Sequence, residues 1–589
     1  MKDGPRMAGV CVSDESEARG RHIVQTGIVG KRAGLTGWAG DLLLCLLVPV
    51  GAWHCLVGTF AAWTVDSDMF AIQAMLRALH EHGLKGVTTW QVTSDNWLLS
   101  LAPFLAILYK FAGASVTVVL AGGWAVYMVT ALALFVLARC FLRPLGAGLL
   151  AASFLFANPM ALGSVGSLTY PISHNSSLPW ILLAIAAAVG ALARRREKRP
   201  IWPCLLAVIG LGAIVTGSDP WARAALVLPL GLASLALLSM PIRWRRGRDL
   251  LYQLTILLIG VRRDPLRRAA LGLALAALVV LWLADKRLVG ILYFVPAFKM
   301  HLAAPVDMIR NAGVVIQVLG RLFYLFPGVP VSSWTAALSM LGLTALAFRA
   351  ALRLARGFPA LSPELRLFVL VLGLSCALTL AGVLVGQMPQ ALFIGRYLLN
   401  VYLFAPCLFL LAERVGSRRR MILPVGWGVL VMIAGVTSPE AGWRLSDPQL
   451  GRAGTLAPYL EAHGLTYGYG PYHSTPTAAV TLYSGHRVIV RPLIVDPATG
   501  FVIAQHPESS PFWRLAPDAP AGQKRFFLIV GDEGCPSTAI CRAGAARQFG
   551  PPAETLQYRD AYGVLDLLVW DHPLVSAVTG RTDGKLRGD

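Results

Sequence analysis

The sequence predicts an α-helical polytopic membrane protein of about 11 transmembrane helices with a small C-terminal extracytoplasmic α/β domain. Three observations carry this. The chain is 56% hydrophobic and only 14% charged, with a mean hydropathy of +0.61, outside the range of an ordinary soluble globule. Apolar runs of about 18 to 24 residues recur, matching the roughly 20 that cross a bilayer. From residue 438 onward the composition turns polar and rich in Pro and Gly for about 150 residues, a normal length for one domain.

Residues 1–38 read as a polar, charged tail. The first apolar run is too long for the core of a cleavable leader and lies behind this tail, so it is expected to act as a signal anchor. Eleven spans are expected at 41–63, 114–138, 147–165, 178–193, 201–217, 221–241, 269–284, 332–350, 367–386, 393–412 and 421–437, all within a membrane domain of residues 39–437. Their loops alternate in charge. Lys31, Arg32, Arg139, Arg143 and the run Arg194-Arg195-Arg196-Glu197-Lys198-Arg199 fall on one side, with Arg243 to Arg268, Arg349 to Arg366 and Arg414 to Arg420. The opposite loops at 166–177, 218–220 and 387–392 hold no Lys or Arg. The excess of basic residues marks the cytoplasmic side, which places the N-terminus inside and the domain 438–589 outside. Arg in preference to Lys, with abundant Ala, Leu and Gly, suits a GC-rich bacterial gene and hence a multi-pass protein of a bacterial inner membrane. The net charge of +21 follows from this loop bias. No nucleic acid partner is implied, because no basic patch is interleaved with aromatics in a soluble module.

The outer loops hold the chemistry. Asp66-Ser67-Asp68 stands just after the first span and heads a loop too long to be a simple connector. Met69-Phe70, Ile72, Met75-Leu76 and Leu79 then recur at helical spacing, which predicts an amphipathic helix lying in the interface. Trp97 to Phe111 is apolar but interrupted by Pro103 and flanked by Asp95 and Lys110, so it is placed as a second interfacial helix. The segment 285–331 carries another such pattern at Met308-Ile309, Val314 to Ile316, Leu319 and Leu322-Phe323. Leu250 to Val261, between Arg clusters, is expected on the inner leaflet, drawn to anionic membrane lipid.

An acidic pair after the first span, followed by two interfacial helices before the second, resembles the GT-C superfamily of integral-membrane glycosyltransferases. Ser94-Asp95-Asn96-Trp97-Leu98-Leu99 to Phe111-Ala112-Gly113 occupies the place of that family's second interfacial helix. Asn96-Trp97-Leu98 stands where the commonest bacterial pattern has a His-Pro-Pro-Leu run. Gly395-Arg396-Tyr397-Leu398-Leu399, at the outer start of a late span, resembles the Arg-Tyr-Leu-Leu signature of the bacterial branch related to protein mannosyltransferases. The resemblance implies an inverting transfer of a sugar from a polyprenyl-phosphate lipid to a hydroxyl on a glycan, lipid or protein acceptor. One carboxylate must take the acceptor's proton. Asp66, nearest the membrane boundary, is the expected base. Asp68 is expected to orient the acceptor or to help bind a possible divalent cation, since carboxylates suit hard cations. Arg396 is expected to hold the leaving phosphate, a geometry guanidinium groups favour, with Tyr397 adding a hydrogen bond.

Other residues keep two readings. Asp95 caps the helix that follows it or touches substrate. Asp219, in Ser218-Asp219-Pro220, is turn chemistry or a second acid of the cavity. His174, in Pro171-Ile172-Ser173-His174-Asn175, is a solvent-exposed loop residue or a substrate contact. Asn175-Ser176-Ser177 matches a glycosylation triplet that is frequent by chance. Tyr467-Gly468-Tyr469-Gly470-Pro471-Tyr472-His473 is a buried aromatic turn or an acceptor platform. Cys535 and Cys541 form a disulfide in an oxidising compartment, or a metal pair. Residues 551–562 do not classify. Neither nucleotide-phosphate fingerprint is present, which argues against an ATP-driven transporter and a nucleotide-sugar enzyme. The alternatives to an enzyme are a secondary transporter or lipid flippase, or a non-catalytic polysaccharide assembly factor. A transporter should place its acids near the membrane midplane rather than at the outer boundary.

Overall fold

The computed structural model describes residues 35–88, 90–92, 97–113, 115–156, 169–239, 261–262, 264–284, 293–294, 302–322, 334–386, 392–416, 443–496, 498–505, 519, 521–531, 535 and 537–574. The expected span 421–437 and Asp95 lie outside these residues.

Among the described residues six helices are long and apolar enough to cross a membrane, and shorter apolar helices accompany them. In chain order the membrane part runs α1 (Leu35–Ala62), α2 (Ala71–His82), α3 (Ala102–Ala112), α4 (Val116–Ala138), α5 (Pro144–Leu155), α6 (Leu178–Arg196), α7 (Trp202–Ser218) and α8 (Leu228–Ser239). It continues with α9 (Pro265–Leu283), α10 (Pro305–Leu322), α11 (Trp334–Gly357), α12 (Pro363–Val385) and α13 (Leu399–Gly416). Helices therefore stand at ten of the eleven expected spans. The sixth opens with a π-helical turn, Arg223–Val227, ahead of α8. Proline fits the first turn of α5, α6, α7, α9 and α12, where the missing amide has no partner to lose. Ser115 caps α4 by accepting from the Val118 amide at 3.3 Å, and Asp264 caps α9 through the Leu266 amide at 2.9 Å.

The bundle is glued by small residues and a few polar contacts. Asn400 donates to the Ser375 hydroxyl at 2.8 Å and to Thr379 at 3.1 Å, and Ser375 donates onward to the Ala225 carbonyl at 2.6 Å. That carbonyl belongs to the π-helical turn, so the irregular turn is tied to α12 and α13 where water is scarce. On the Arg-rich side Glu413 of α13 receives Arg349 at 3.2 Å and also Arg353, joining α11 to α13.

α2 and α3 are short, 12 and 11 residues, as interfacial helices should be. A helix, α10, stands where the third amphipathic pattern was read. Its Asn311 donates to the Leu384 and Gly386 carbonyls at 3.1 and 3.0 Å, closing the end of α12.

The C-terminal domain is a six-stranded mixed sheet in the order β5-β4-β3-β6-β8-β7. Its strands are β3 (Tyr467–Pro471), β4 (Ile489–Val495), β5 (Val502–Gln505), β6 (Phe526–Val530), β7 (Glu554–Asp560) and β8 (Gly563–Trp570), after a two-stranded pair β1 (Gln91–Val92) and β2 (Tyr293–Phe294). Three helices pack on it: α14 (Gly451–Ala462), α15 (Thr477–Tyr483) and α16 (Thr538–Phe549). β3 and β4 run parallel with α15 as their crossover, and β6 lies parallel on the other side of β3. Two sequence readings change here. Tyr467 to Pro471 is a buried central strand, since Gly468 lets the β6 backbone approach to a distance that a Cβ would obstruct. Residues 551–562, which the sequence left unclassified, contain β7, a mostly exposed edge strand. Cys535 and Cys541 are disulfide-bonded, as expected.

One hydrophobic core runs without a break from the interfacial layer into this domain. Met69, Phe70, Ile72 and Met75 share it with Leu456, Val480 and Phe527. The two parts therefore pack against each other through one shared core.

Candidate active site at the end of the first helix

The acidic pair sits where α1 ends. Val65 donates its amide to the Gln449 carbonyl at 2.8 Å, and Gln449 returns a bond to Ala61 at 2.8 Å. Gly451 stands at φ +56°, and a Cβ there would lie 2.5 Å from Thr64 Cγ2, so only glycine permits the approach. Ser67, fully buried, donates to the Tyr472 carbonyl at 2.6 Å. Tyr472 follows β3 directly, and Arg452 steadies its turn by donating to the Ser474 carbonyl at 2.6 Å. That arginine is itself held by Asp560 at 2.9 and 3.1 Å. The acid loop is thus clamped between the first span and the sheet domain.

Asp66 accepts the Met69 amide at 3.1 Å and the Tyr170 hydroxyl at 2.8 and 2.7 Å on its two oxygens. Part of the residue reaches the surface, but its carboxylate is enclosed by protein. That burial, then the negative charge of Asp68, pushes its pKa up to about 7. The Tyr170 hydroxyl, the Met69 amide and the charge of His473 act in the opposite sense. Tyr170 is held protonated by its own burial and by the Asp66 charge. Its ring packs edge-on against Trp63 at 5.1 Å, and Gly123 leaves room for the Thr169–Pro171 backbone, where a Cβ would lie 2.3 Å from the Thr169 carbonyl.

A second cluster adjoins the first. His174 Nδ1 meets Asp219 Oδ2 at 2.8 Å, and the Ser177 hydroxyl donates to the same oxygen at 2.7 Å. The Trp221 amide donates to the other oxygen at 3.0 Å. His174 is 3% exposed and Asp219 0%. The expectation of a solvent-exposed histidine is therefore corrected: Asp219 supplies the acceptor that lets the ring be buried. Asn175 is buried too and donates to the Tyr170 carbonyl at 2.7 Å, which removes it as a surface glycosylation acceptor and links the two clusters. The His174 ring lies 4.8 Å from that of Tyr397, and Trp221 Nε1 donates to the Tyr397 carbonyl at 3.0 Å. Arg396 donates to the Tyr397 hydroxyl at 3.0 Å and lies over its ring at 5.0 Å. These two residues belong to a 3-10 turn, Leu392–Leu398, leading into α13.

The structure thus brings five sequence candidates, Asp66, His174, Asp219, Arg396 and Tyr397, into one belt of contacts, with Asp68 two residues along the chain. Tyr170 and Trp221 were not singled out from sequence. Their signal was weak: a tyrosine before Pro171 in a loop without basic residues, and a tryptophan after Asp219-Pro220.

A divalent cation would have to be held by Asp66 and Asp68. Hard cations take six or more oxygen ligands, several of them from protein. Both Asp66 oxygens are engaged by Tyr170, and among the described residues no cluster of three His, Cys, Asp or Glu includes the pair. Among the described residues the donors near the pair do not make a metal centre, and no step is derived through one.

No family model and no curated protein matches the chain. Solved structures do. The chain is similar to ArnT from Cupriavidus metallidurans bound to undecaprenyl phosphate, at 10% identity and a TM-score of 0.50, covering 93% of this chain and 100% of that one. It is also similar to the archaeal oligosaccharyltransferase AglB from Archaeoglobus fulgidus, at 12% identity and a TM-score of 0.44, covering 90% of this chain and 74% of that one. At such identities the likeness speaks for the fold. This chain is a membrane protein with a GT-C-like fold and a C-terminal sheet domain.

Proposed function

We propose that the chain transfers a sugar from a polyprenyl-phosphate-linked donor to an acceptor hydroxyl at the outer face of a bacterial inner membrane. The observation that carries this reading is the Asp66 carboxyl, enclosed beside Asp68 and titrating near neutrality. A general base works best when its pKa lies near the working pH. The acceptor oxygen attacks the anomeric carbon, and the new carbon–oxygen bond forms as the bond to the donor phosphate breaks from the opposite side. The acceptor's proton passes to Asp66, and the electron pair of the broken bond leaves with the lipid phosphate. Arg396, with the Tyr397 hydroxyl beside it, meets that charge. His174 and Trp221, braced by Asp219, hold Tyr397 from behind.

ArnT, of similar fold, binds undecaprenyl phosphate, which supports a lipid-linked donor. The acids lie at the outer boundary rather than within the bundle, which favours an enzyme over a transporter. The test is transfer of radiolabelled sugar from polyprenyl-phosphate donors in membrane vesicles. Asp66→Asn is expected to lower the rate at least about 100-fold, the low end of what a positioned base contributes. Transfer that survives at equal protein level in both Asp66→Asn and Asp68→Asn would show that neither is the base.

A further inference from the structure

Two side chains of the C-terminal domain stand exposed beside the acid loop, and one buried arginine fixes both. The first is His473. It follows Tyr472, whose carbonyl takes the Ser67 hydroxyl, so its turn lies directly against the acid pair. Its ring meets the Tyr472 ring edge-on at 4.9 Å, and its charge is felt at the Asp66 carboxyl. The second is Tyr562, 60% exposed in the turn between β7 and β8. A Cβ added at Gly451 would meet Thr64 Cγ2 at 2.5 Å and the Tyr562 hydroxyl at 3.7 Å, so this tyrosine stands next to the residues that lead into Asp66.

Arg452 ties the two together at the start of α14. It donates to the Ser474 carbonyl, in the His473 turn, at 2.6 Å, and pairs with Asp560 at 2.9 and 3.1 Å. Asp560 in turn accepts the Tyr562 amide at 2.8 Å, and the Arg452 guanidinium lies 5.7 Å from the centre of the Tyr562 ring. With a cation behind it and its backbone held, the ring is presented to the surface in one place. Single exposed aromatics are ordinary on proteins. This one is braced, and it shares its brace with a second exposed side chain beside a buried base.

Other sides of that base are closed. Tyr170 covers both Asp66 oxygens, the Met69 amide takes one of them, and Trp63 packs against Tyr170. The rim of His473 and Tyr562 is exposed. A sugar suits such a rim, since its C–H face packs on a flat ring while the hydroxyls at its edge take hydrogen bonds. We propose that the acceptor is a saccharide that stacks on Tyr562, is hydrogen-bonded by His473 and turns one hydroxyl to Asp66. This names the acceptor class for the transfer reading above and rests on that reading.

The test uses purified full-length protein in nanodiscs with radiolabelled polyprenyl-phosphate sugar as donor. The acceptors offered are three fractions of the cell envelope of the producing organism: glycan freed of protein and lipid, protein, and lipid. The parent is expected to label the glycan, and partial hydrolysis should return the label attached to another sugar. Tyr562→Ala is expected to raise the KM for the glycan about tenfold, the worth of one good aromatic contact, with the donor KM unchanged. Tyr562→Leu, apolar but not flat, should behave like Tyr562→Ala, and Tyr562→Phe like the parent. His473→Ala should raise the same KM about fivefold, partly restored in His473→Gln. An unchanged glycan KM in both alanine variants overturns the inference, as does a parent that labels only the protein or the lipid. If Tyr562→Ala fails to fold by its melting curve, His473→Ala decides alone. A parent that moves label to none of the three fractions overturns the transfer reading itself, and the acceptor assignment with it.

Discussion

Asp66 owes its candidacy to opposing influences on one carboxyl. Burial and the negative charge of Asp68 raise its pKa, and the Tyr170 hydroxyl holds the rise to about 7. A base must be ionised to accept a proton, so the rate of transfer should climb with pH through an acid limb near 7. The two neighbours predict opposite displacements of that limb. Asp68→Asn removes a like charge and should lower it. Tyr170→Phe removes a donor that favours the ionised form and should raise it. Initial rates of kcat/KM against pH in proteoliposomes check the signs, and a shift in the same direction for both variants would refute the assigned causes.

The turn after α7 shows what an element boundary can carry. Asp219, fully buried, accepts from His174, Ser177 and the Trp221 amide, so Asp219→Ala strands three donors at once. A loss of about 3 kcal/mol is expected, with a lower melting temperature in detergent. Asp219→Asn keeps an acceptor and should lose less. This boundary also marks how far the sequence could be read. The apolar runs and the Arg bias located the helices, because length and hydrophobicity act within one segment. Asp66 and Arg396 stood out because charge at a span end is conspicuous. The buried state of His174 was not legible, since its partner lies 45 residues away and only the fold joins them. Tyr170 was hidden for the same reason: its hydroxyl reaches 104 residues back to Asp66. β3 was masked by its glycines, which local preference reads as turn and parallel pairing with β4 and β6 turns into strand.

The proposed orientation is a property of the whole molecule, and it rests on where the basic loops lie. In intact cells an impermeant thiol reagent should fail to label Arg195→Cys until the membrane is opened. Labelling from outside would invert the topology and put Asp66 on the cytoplasmic side. The disulfide Cys535–Cys541 belongs to the domain this topology places outside, where oxidation is permitted. The bond from Ser67 to the Tyr472 carbonyl spans 405 residues and has a bearing on how the protein is made. On the proposed topology Asp66 crosses the membrane long before the ribosome reaches Tyr472. Until then the acid loop lacks its clamp. On the proposed reading, competence to react is acquired only after residues 443–574 have followed the acid loop across the membrane and folded against it.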